Sequence, residues 1–222
     1  MGWDSRLKPM REDFRPVRVN GEVLVKTDVD ARIQAGLPTD LKYQSRANRR
    51  ACVNLIHVAA CERHIGRLPA PDETFHCVVG STYPLWAMVP AVANLAGEVK
   101  IESLHVSTLS FSKYNGDELV GMLDAGQIGR VVLLASCHFK AVNAEIYDPI
   151  HKALTDRGHR IAARRTHAKV LAFALSDGRR FTVEGSANLR SGKSVEQFCM
   201  TGDAGLYEFH VGWMESLIHE GA

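Results

Sequence analysis

The stretch RRTHAKVLAFALSDGRRFTVEGSANLRSG, Arg164 to Gly192, decides how this chain reads. Two apolar-rich runs are joined by Asp177-Gly178, a dipeptide suited to a tight hairpin link, so the runs predict two antiparallel strands. Side chains alternate faces along a strand, which points His167 and Lys169 the same way. The second strand exits into Gly185-Ser186-Ala187-Asn188. A register centred on the turn sets His167 against the Asn188 region. An imidazole, an ammonium, a hydroxyl and a carboxamide are therefore expected at the open end of one hairpin.

That group has a chemical logic. Lys169, Ser186 and Asn188 supply donors suited to the two non-bridging oxygens of a phosphodiester. Glycine at 185 permits close backbone approach. His167 can attack phosphorus or deliver a proton. With positive charge supplied by lysine, the expectation is a site that takes no metal and no cofactor. The bland alternative is a surface histidine and lysine beside an ordinary Gly-Ser turn. Cys137-His138-Phe139-Lys140 shows how cheap the spacing is, since no Gly-Ser-x-Asn follows it.

Working outward, residues 1–40 read as an irregular lead-in, interrupted by Pro9, Pro16 and Pro38, with one short strand in GEVLVKTDVD. Residues 41–72 read as an N-terminal helix that covers the core and stops at Gly66 and Pro69. Its arginines Arg46, Arg49 and Arg50 form a basic end for nucleic acid or a partner subunit, or simply cap a covering helix. His57, Cys61 and His64 share one helix face and could hold a metal, but a partly buried face explains them better. Residues 73–222 alternate strand and helix. Strands are expected in FHCVVG, KIESLHVSTLS and RVVLLAS, and helices over Pro84–Ala96, from Asp117 to about Gln127, and over Ala144–Arg157. The hairpin and a closing helix complete the chain. The fold class is α/β, a mixed β-sheet flanked by helices with an N-terminal helical extension.

Bulk properties set no extreme. The 222 residues are 45% hydrophobic and 23% charged, with a formal net charge of +2, ordinary values for a soluble domain. Basic residues cluster locally at Arg160, Arg164, Arg165, Arg179 and Arg180, a field suited to a polyanion. Five cysteines show no CxxC pair and imply neither a disulfide framework nor a zinc ribbon. The opening MGWDSRLKPMREDF has no apolar core, and PLWAMVPAVANLAG is too short to span a bilayer. The expectation is a cytoplasmic protein with no membrane partner.

His167-Ala-Lys169 followed by Gly185-Ser186-Ala187-Asn188 resembles the HxK…GSxN signature of the phospholipase D superfamily, most closely from Gly158 to Asp203. The flanking order of helix, Gly turn, strand, motif strand, loop and further strand is also similar. The resemblance implies a phospholipase D-like fold and catalytic roles for His167, Lys169, Ser186 and Asn188. It also implies an acidic residue after the loop, here Glu196, orienting the imidazole. Gly185, Arg164, Arg165 and Arg190 would bind substrate. The family's aspartate five residues after the lysine is replaced by Ala174. The family mechanism needs two facing histidines, and this chain holds one motif, so the resemblance implies a homodimer. Single-motif members are typically nucleases. The expected function is thus a metal-independent phosphodiesterase cutting nucleic acid, DNA ahead of RNA, through a phosphohistidine. The alternatives are a silent nucleic-acid-binding or assembly module, and a lipid phosphodiesterase whose apolar entrance would use Trp86 and Trp213.

Overall fold

The computed structural model describes residues 17–19, 22–24, 46–80, 82–190 and 194–219. The chain divides into two compact units, 1–52 and 53–222. Within the first, strands β1 (Val17–Val19) and β2 (Glu22–Leu24) pair antiparallel, Val17 opposite Leu24. The rest of the expected lead-in, and the side chains of Arg46, Arg49 and Arg50, lie outside the described residues.

Helix α1 (Arg46–Ile65) leads from the first unit into the second. The order thereafter is β3 (Thr74–Gly80), a short 3-10 turn (Leu85–Ala87), α2 (Met88–Ala96), β4 (Ile101–Thr108), α3 (Lys113–Asp124), β5 (Ile128–Ser136), α4 (Cys137–Val142), α5 (Ala144–Thr155), β6 (Arg160–Arg164), β7 (Val170–Leu175), β8 (Arg180–Gly185), β9 (Val195–Thr201) and α6 (Ala204–His219). The seven strands form one mixed sheet in the order β3-β9-β8-β7-β4-β5-β6. Strands β4, β5 and β6 run parallel; every other pairing is antiparallel. The C-terminal ends of β4, β5, β6 and β8 and the N-terminal ends of β7 and β9 therefore share one edge of the sheet. In open α/β sheets this edge, beyond the carboxyl ends of the parallel strands, is where ligands bind.

Alternation in the central strands assigns their two faces. Leu104, Val106, Val131, Leu133, Leu171 and Phe173 bury against helices α2 to α5 and the Val58, Cys61 and Ile65 side of α1. Val132, Leu134 and Val170 meet Met214 and Ile218 of α6, while Ala172 and Ala174 meet Tyr207 of α6. The near-continuous apolar sequences of β5 and β7 follow from coverage on both faces. Trp86 is 1% exposed, inside the larger core, and Trp213 packs beside the α6 cluster. Neither forms an apolar entrance.

Several local expectations need correction. The third helix starts at Lys113 rather than Asp117, because Ser112 and Asn115 form a reciprocal capping box. Gly116, in the first turn of this helix, is a contact point. A Cβ there would lie 2.5 Å from Ile150 of α5, so glycine lets the two helices approach. Helix α4 occupies the CHFK segment, capped by Ser136 accepting from the His138 amide. The Pro84 helix is a 3-10 turn followed by α2. His57, Cys61 and His64 do not converge: Cys61 Sγ faces Met88 Sδ at 3.4 Å in the core, and His64 Nδ1 meets the Tyr83 hydroxyl at 2.8 Å.

A charged clasp fastens α6 to the sheet. Glu215 accepts from Arg130 at 2.6 Å, from Arg160 at 2.7 Å and from His105 Nε2 at 2.9 Å, joining β4, β5 and β6 to one carboxylate. His105 is 2% exposed, and burial holds its pKa below the usual imidazole value against the pull of Glu215. Burial by itself would raise the Glu215 carboxyl, but the His105 hydrogen bond and the two arginines outweigh it and hold it below the usual range. Both groups make acid destabilising. His105 resists protonation below its ordinary pKa, and the Glu215 contribution is lost as pH falls through its depressed folded value. Glu215→Ala is expected to cost about 2–3 kcal/mol, through the stranded partners of a partly buried ion pair. Urea unfolding at pH 7 measures this; because Glu215 pulls the His105 pKa up, its removal leaves His105 still harder to protonate, and the mutant should lose more stability than wild type as pH falls from 7 to about 5. Equal acid losses in the two proteins would remove Glu215 from the account.

Candidate active site

The site residues collect at the shared sheet edge because the end of β4 holds two loops. Ser107 Oγ donates to the Ala168 carbonyl at 3.2 Å and lies 3.3 Å from Thr166 Oγ1, which in turn accepts from the Ala168 amide at 3.2 Å. One residue on, Thr108 Oγ1 accepts from the Leu189 amide at 3.5 Å and donates to the Ser110 carbonyl at 3.0 Å. Segments 166–168 and 188–189 are thus both tied to the last two residues of β4. Sequence analysis gives Ser107 and Thr108 no part in the site. The run of hydroxyls in Ser107-Thr108-Leu109-Ser110 is the signal that pointed to this anchor.

The hairpin register differs by one residue from the expectation. Val170 pairs with Glu184, and the Gly185 amide donates to the Lys169 carbonyl at 3.2 Å. Lys169 thus sits opposite Gly185, and His167 opposite residue 187 rather than 188. Regular strand begins only at Val170; His167 and Lys169 stand on the lead-in to it. Lys169 follows the parity of Leu171 and Phe173, which lie on the α2–α5 face.

Lys169 is 8% exposed. Its ammonium donates to His167 Nδ1 at 2.8 Å and to the His167 carbonyl at 2.8 Å, with Nε2 at 3.4 Å. His167 itself is exposed at the mouth. Burial lowers the Lys169 pKa, and the nearby charge of Glu196 counteracts that loss.

Glu196 does not hold the imidazole. Its Oε2 accepts a short hydrogen bond from Ser186 Oγ, and Ser186 Oγ accepts from the Gln197 amide at 3.1 Å. Ser186 and Glu196 thus form a unit between β8 and β9 that sets a negative charge near Lys169. Asn188 is half-buried, and its Oδ1 is buried with no hydrogen-bond partner. An orphaned buried acceptor costs about 1–3 kcal/mol, which a polar ligand or water would relieve.

The remaining expected residues separate. At Gly185 an added Cβ would lie 2.7 Å from the Gln197 carbonyl. The close approach that requires glycine is to β9, not to a ligand. Arg164 lies on the C-terminal turn of α6, donating to the carbonyls of Leu217 at 2.6 Å and Ile218 at 3.3 Å, and to that of Ala163 at 3.0 Å. It satisfies carbonyls that a helix end leaves open. Arg165 and Arg190 are exposed. Ala174 packs on the α6 face beside Tyr207, opposite in parity to Lys169, so a side chain at 174 does not reach the imidazole.

One positioning group escaped sequence reading. Trp213 Nε1 donates to His210 Nδ1 at 3.0 Å, which leaves the His210 proton on Nε2, facing Glu184 Oε1 at 3.1 Å. Helix α6 thereby grips β8 one residue before Gly185.

No family model and no curated protein matches the chain in sequence. Among solved structures it is similar to Nuc from Salmonella typhimurium, a phospholipase D family member, with a TM-score of 0.46 and 16% identity over 65% of this chain and 93% of that one. It is also similar to polyphosphate kinase from Porphyromonas gingivalis, with a TM-score of 0.48 and 11% identity over 68% of this chain and 28% of that one. A third likeness is to TrmBL2, an archaeal chromatin protein that binds DNA, with a TM-score of 0.43 and 10% identity over 86% and 68%. These likenesses concern the layout of strands and helices and say nothing of chemistry. Among the described residues no helix is long and apolar enough to cross a membrane.

Two outcomes check this geometry. Gly185→Ala forces β8 from β9 and is expected to cost about 1–3 kcal/mol in denaturant unfolding. Glu196→Gln removes the charge that supports the ammonium, so the Lys169 pKa should fall further. An NMR titration of the lysine Cε signal reads the shift, and an unmoved Lys169 would show that Glu196 acts on Ser186 alone.

Proposed function

We propose that this chain is a metal-independent phosphodiesterase of the phospholipase D type, a nuclease working as a homodimer in the cytoplasm. The observation that carries the reading is the buried Lys169, its ammonium held 2.8 Å from the His167 imidazole at the sheet edge beyond the carboxyl ends of the parallel strands. A surface histidine and lysine would not desolvate the ammonium in this way.

A phosphodiester entering the mouth offers two anionic oxygens. One competes with His167 for the Lys169 ammonium and draws Nζ away from the ring; the other suits the Asn188 carboxamide. Withdrawal of the ammonium uncovers the ring nitrogens of His167. A ring nitrogen with its lone pair then attacks phosphorus, the P–N bond forms, and the P–O bond to the leaving group breaks. The leaving oxygen takes a proton from the protonated imidazole of His167 in a second copy, which becomes neutral. That imidazole then accepts a proton from water as the water oxygen attacks phosphorus and the P–N bond breaks. Hydrolysis returns both rings to their starting state. Ser186 acts here through Glu196, whose charge favours the protonated form of Lys169. Arg165 and Arg190 supply exposed positive charge for the flanking polyanion, with DNA preferred to RNA.

The test is nicking of supercoiled plasmid in EDTA. Wild type is expected to cut, and His167→Ala to lose about 10^3-fold in rate, with native mass corresponding to two chains. Binding without cleavage would leave a silent nucleic-acid-binding module, and turnover of phosphatidyl esters instead would move the substrate to lipid. Cleavage by a monomer would remove the shared site.

A further inference from the structure

Strand β6 is an outer edge of the sheet, and along it runs an open groove of about 380 Å³. All five residues of β6 line it, facing Tyr147, His151 and Thr155 of α5, Lys140 of α4 and His159. Its cations are Lys140, Arg160 and Arg164, and no acidic residue lines it. Glu215 offsets Arg160 from outside the lining, while Arg164 rests on carbonyls rather than on a carboxylate. Lys140 is exposed and lies 5.3 Å over the Tyr147 ring, so its ammonium is held at the groove without being neutralised. The His151 ring, half-buried, packs on the same tyrosine at 5.7 Å.

The upper end of this groove is close to the candidate active site by chain geometry alone. Arg164 and His167 are three residues apart, so their backbones lie within about 11 Å. From there β6 extends for about 16 Å. The volume falls at the small end of ligand clefts, about 300–1,000 Å³, and matches a nucleotide or two. Unneutralised lysine and arginine beside the half-buried imidazole of His151 suit a phosphate backbone with unstacked bases.

We propose that the β6 groove is the track along which single-stranded nucleic acid leaves the His167 site, with Lys140 contacting a phosphate and His151 offering a face to a base. This deepens the proposed function and rests on it for the identity of the substrate.

The experiment uses the full chain carrying His167→Ala, so that binding is read without cleavage. A fluorescein-labelled single-stranded oligodeoxythymidine is titrated by anisotropy across a salt series. Adding Lys140→Ala is expected to weaken binding several-fold and to flatten the log Kd against log salt slope by about 1. Lys113→Ala, which removes a cation paired with Asp117 on another helix, should change neither. In the chain with His167 intact, Lys140→Ala should raise KM for the oligonucleotide while leaving hydrolysis of bis(p-nitrophenyl) phosphate unchanged. An unaltered Kd and slope in Lys140→Ala overturns the track even where plasmid nicking succeeds. Equal dependence on Lys140 for a duplex, or displacement of the oligonucleotide by polyglutamate at equal charge, overturns single-strand recognition. Loss of binding in Lys140→Ala in a protein that cuts nothing supports the track and sinks the hydrolase.

Discussion

The pairing of Val170 with Glu184 is the constraint on which the rest of this molecule depends. It places Gly185 opposite Lys169, and it puts Lys169 on the face shared with Leu171 and Phe173. A slip of one residue would reverse the parity, driving the ammonium toward α6 and setting Val170 against the wrong core. Burial on both faces holds the register, because Leu171 and Phe173 on one side and Ala172 and Ala174 on the other are almost fully enclosed. The tight Asp177-Gly178 turn, with Gly178 at φ 90°, closes the hairpin in a conformation that glycine adopts without strain.

Around that hairpin the chain uses hydrogen bonds from distant segments to fix a site that no local interaction could hold. The hydroxyls of Ser107 and Thr108 gather the segments on either side of the hairpin mouth. His210 and Trp213 secure Glu184 from the opposite face, and Glu215 clasps α6 to three strands. These contacts run between residues 26 to 110 apart in sequence. Each satisfies polar groups that burial would otherwise penalise, so the order of the site and the stability of the fold rest on the same bonds.

The electrostatics have one theme, a cation kept charged in a place that disfavours charge. Burial pulls the Lys169 pKa down, and Glu196 resists. The glutamate in turn is aimed by Ser186. This division of labour differs from a set of independent donors converging on substrate. The hydroxyl of Ser186 is already spent on the carboxylate, and the imidazole is oriented by Lys169 and not by Glu196. Ala174 carries no penalty for the imidazole, because it belongs to the other face of the sheet.

The sequence by itself determined the alternating strands and helices, the Asp177-Gly178 hairpin, and the presence of His167, Lys169, Ser186 and Asn188 at its open end. Those features are local: period-two alternation, turn chemistry and residue type are written in adjacent positions. Only the tertiary structure decided that Gly185 makes room for the neighbouring strand, that Arg164 caps α6, that Glu196 serves Ser186 and Lys169, and that Ser107, Thr108 and His210 belong to the site. It also decided that helix α3 begins at Lys113, with Gly116 admitting Ile150. In each case the controlling partner lies far away along the chain or across a capping turn. Spacing within one segment records which groups are available, while their partners are chosen by the packing of the whole sheet.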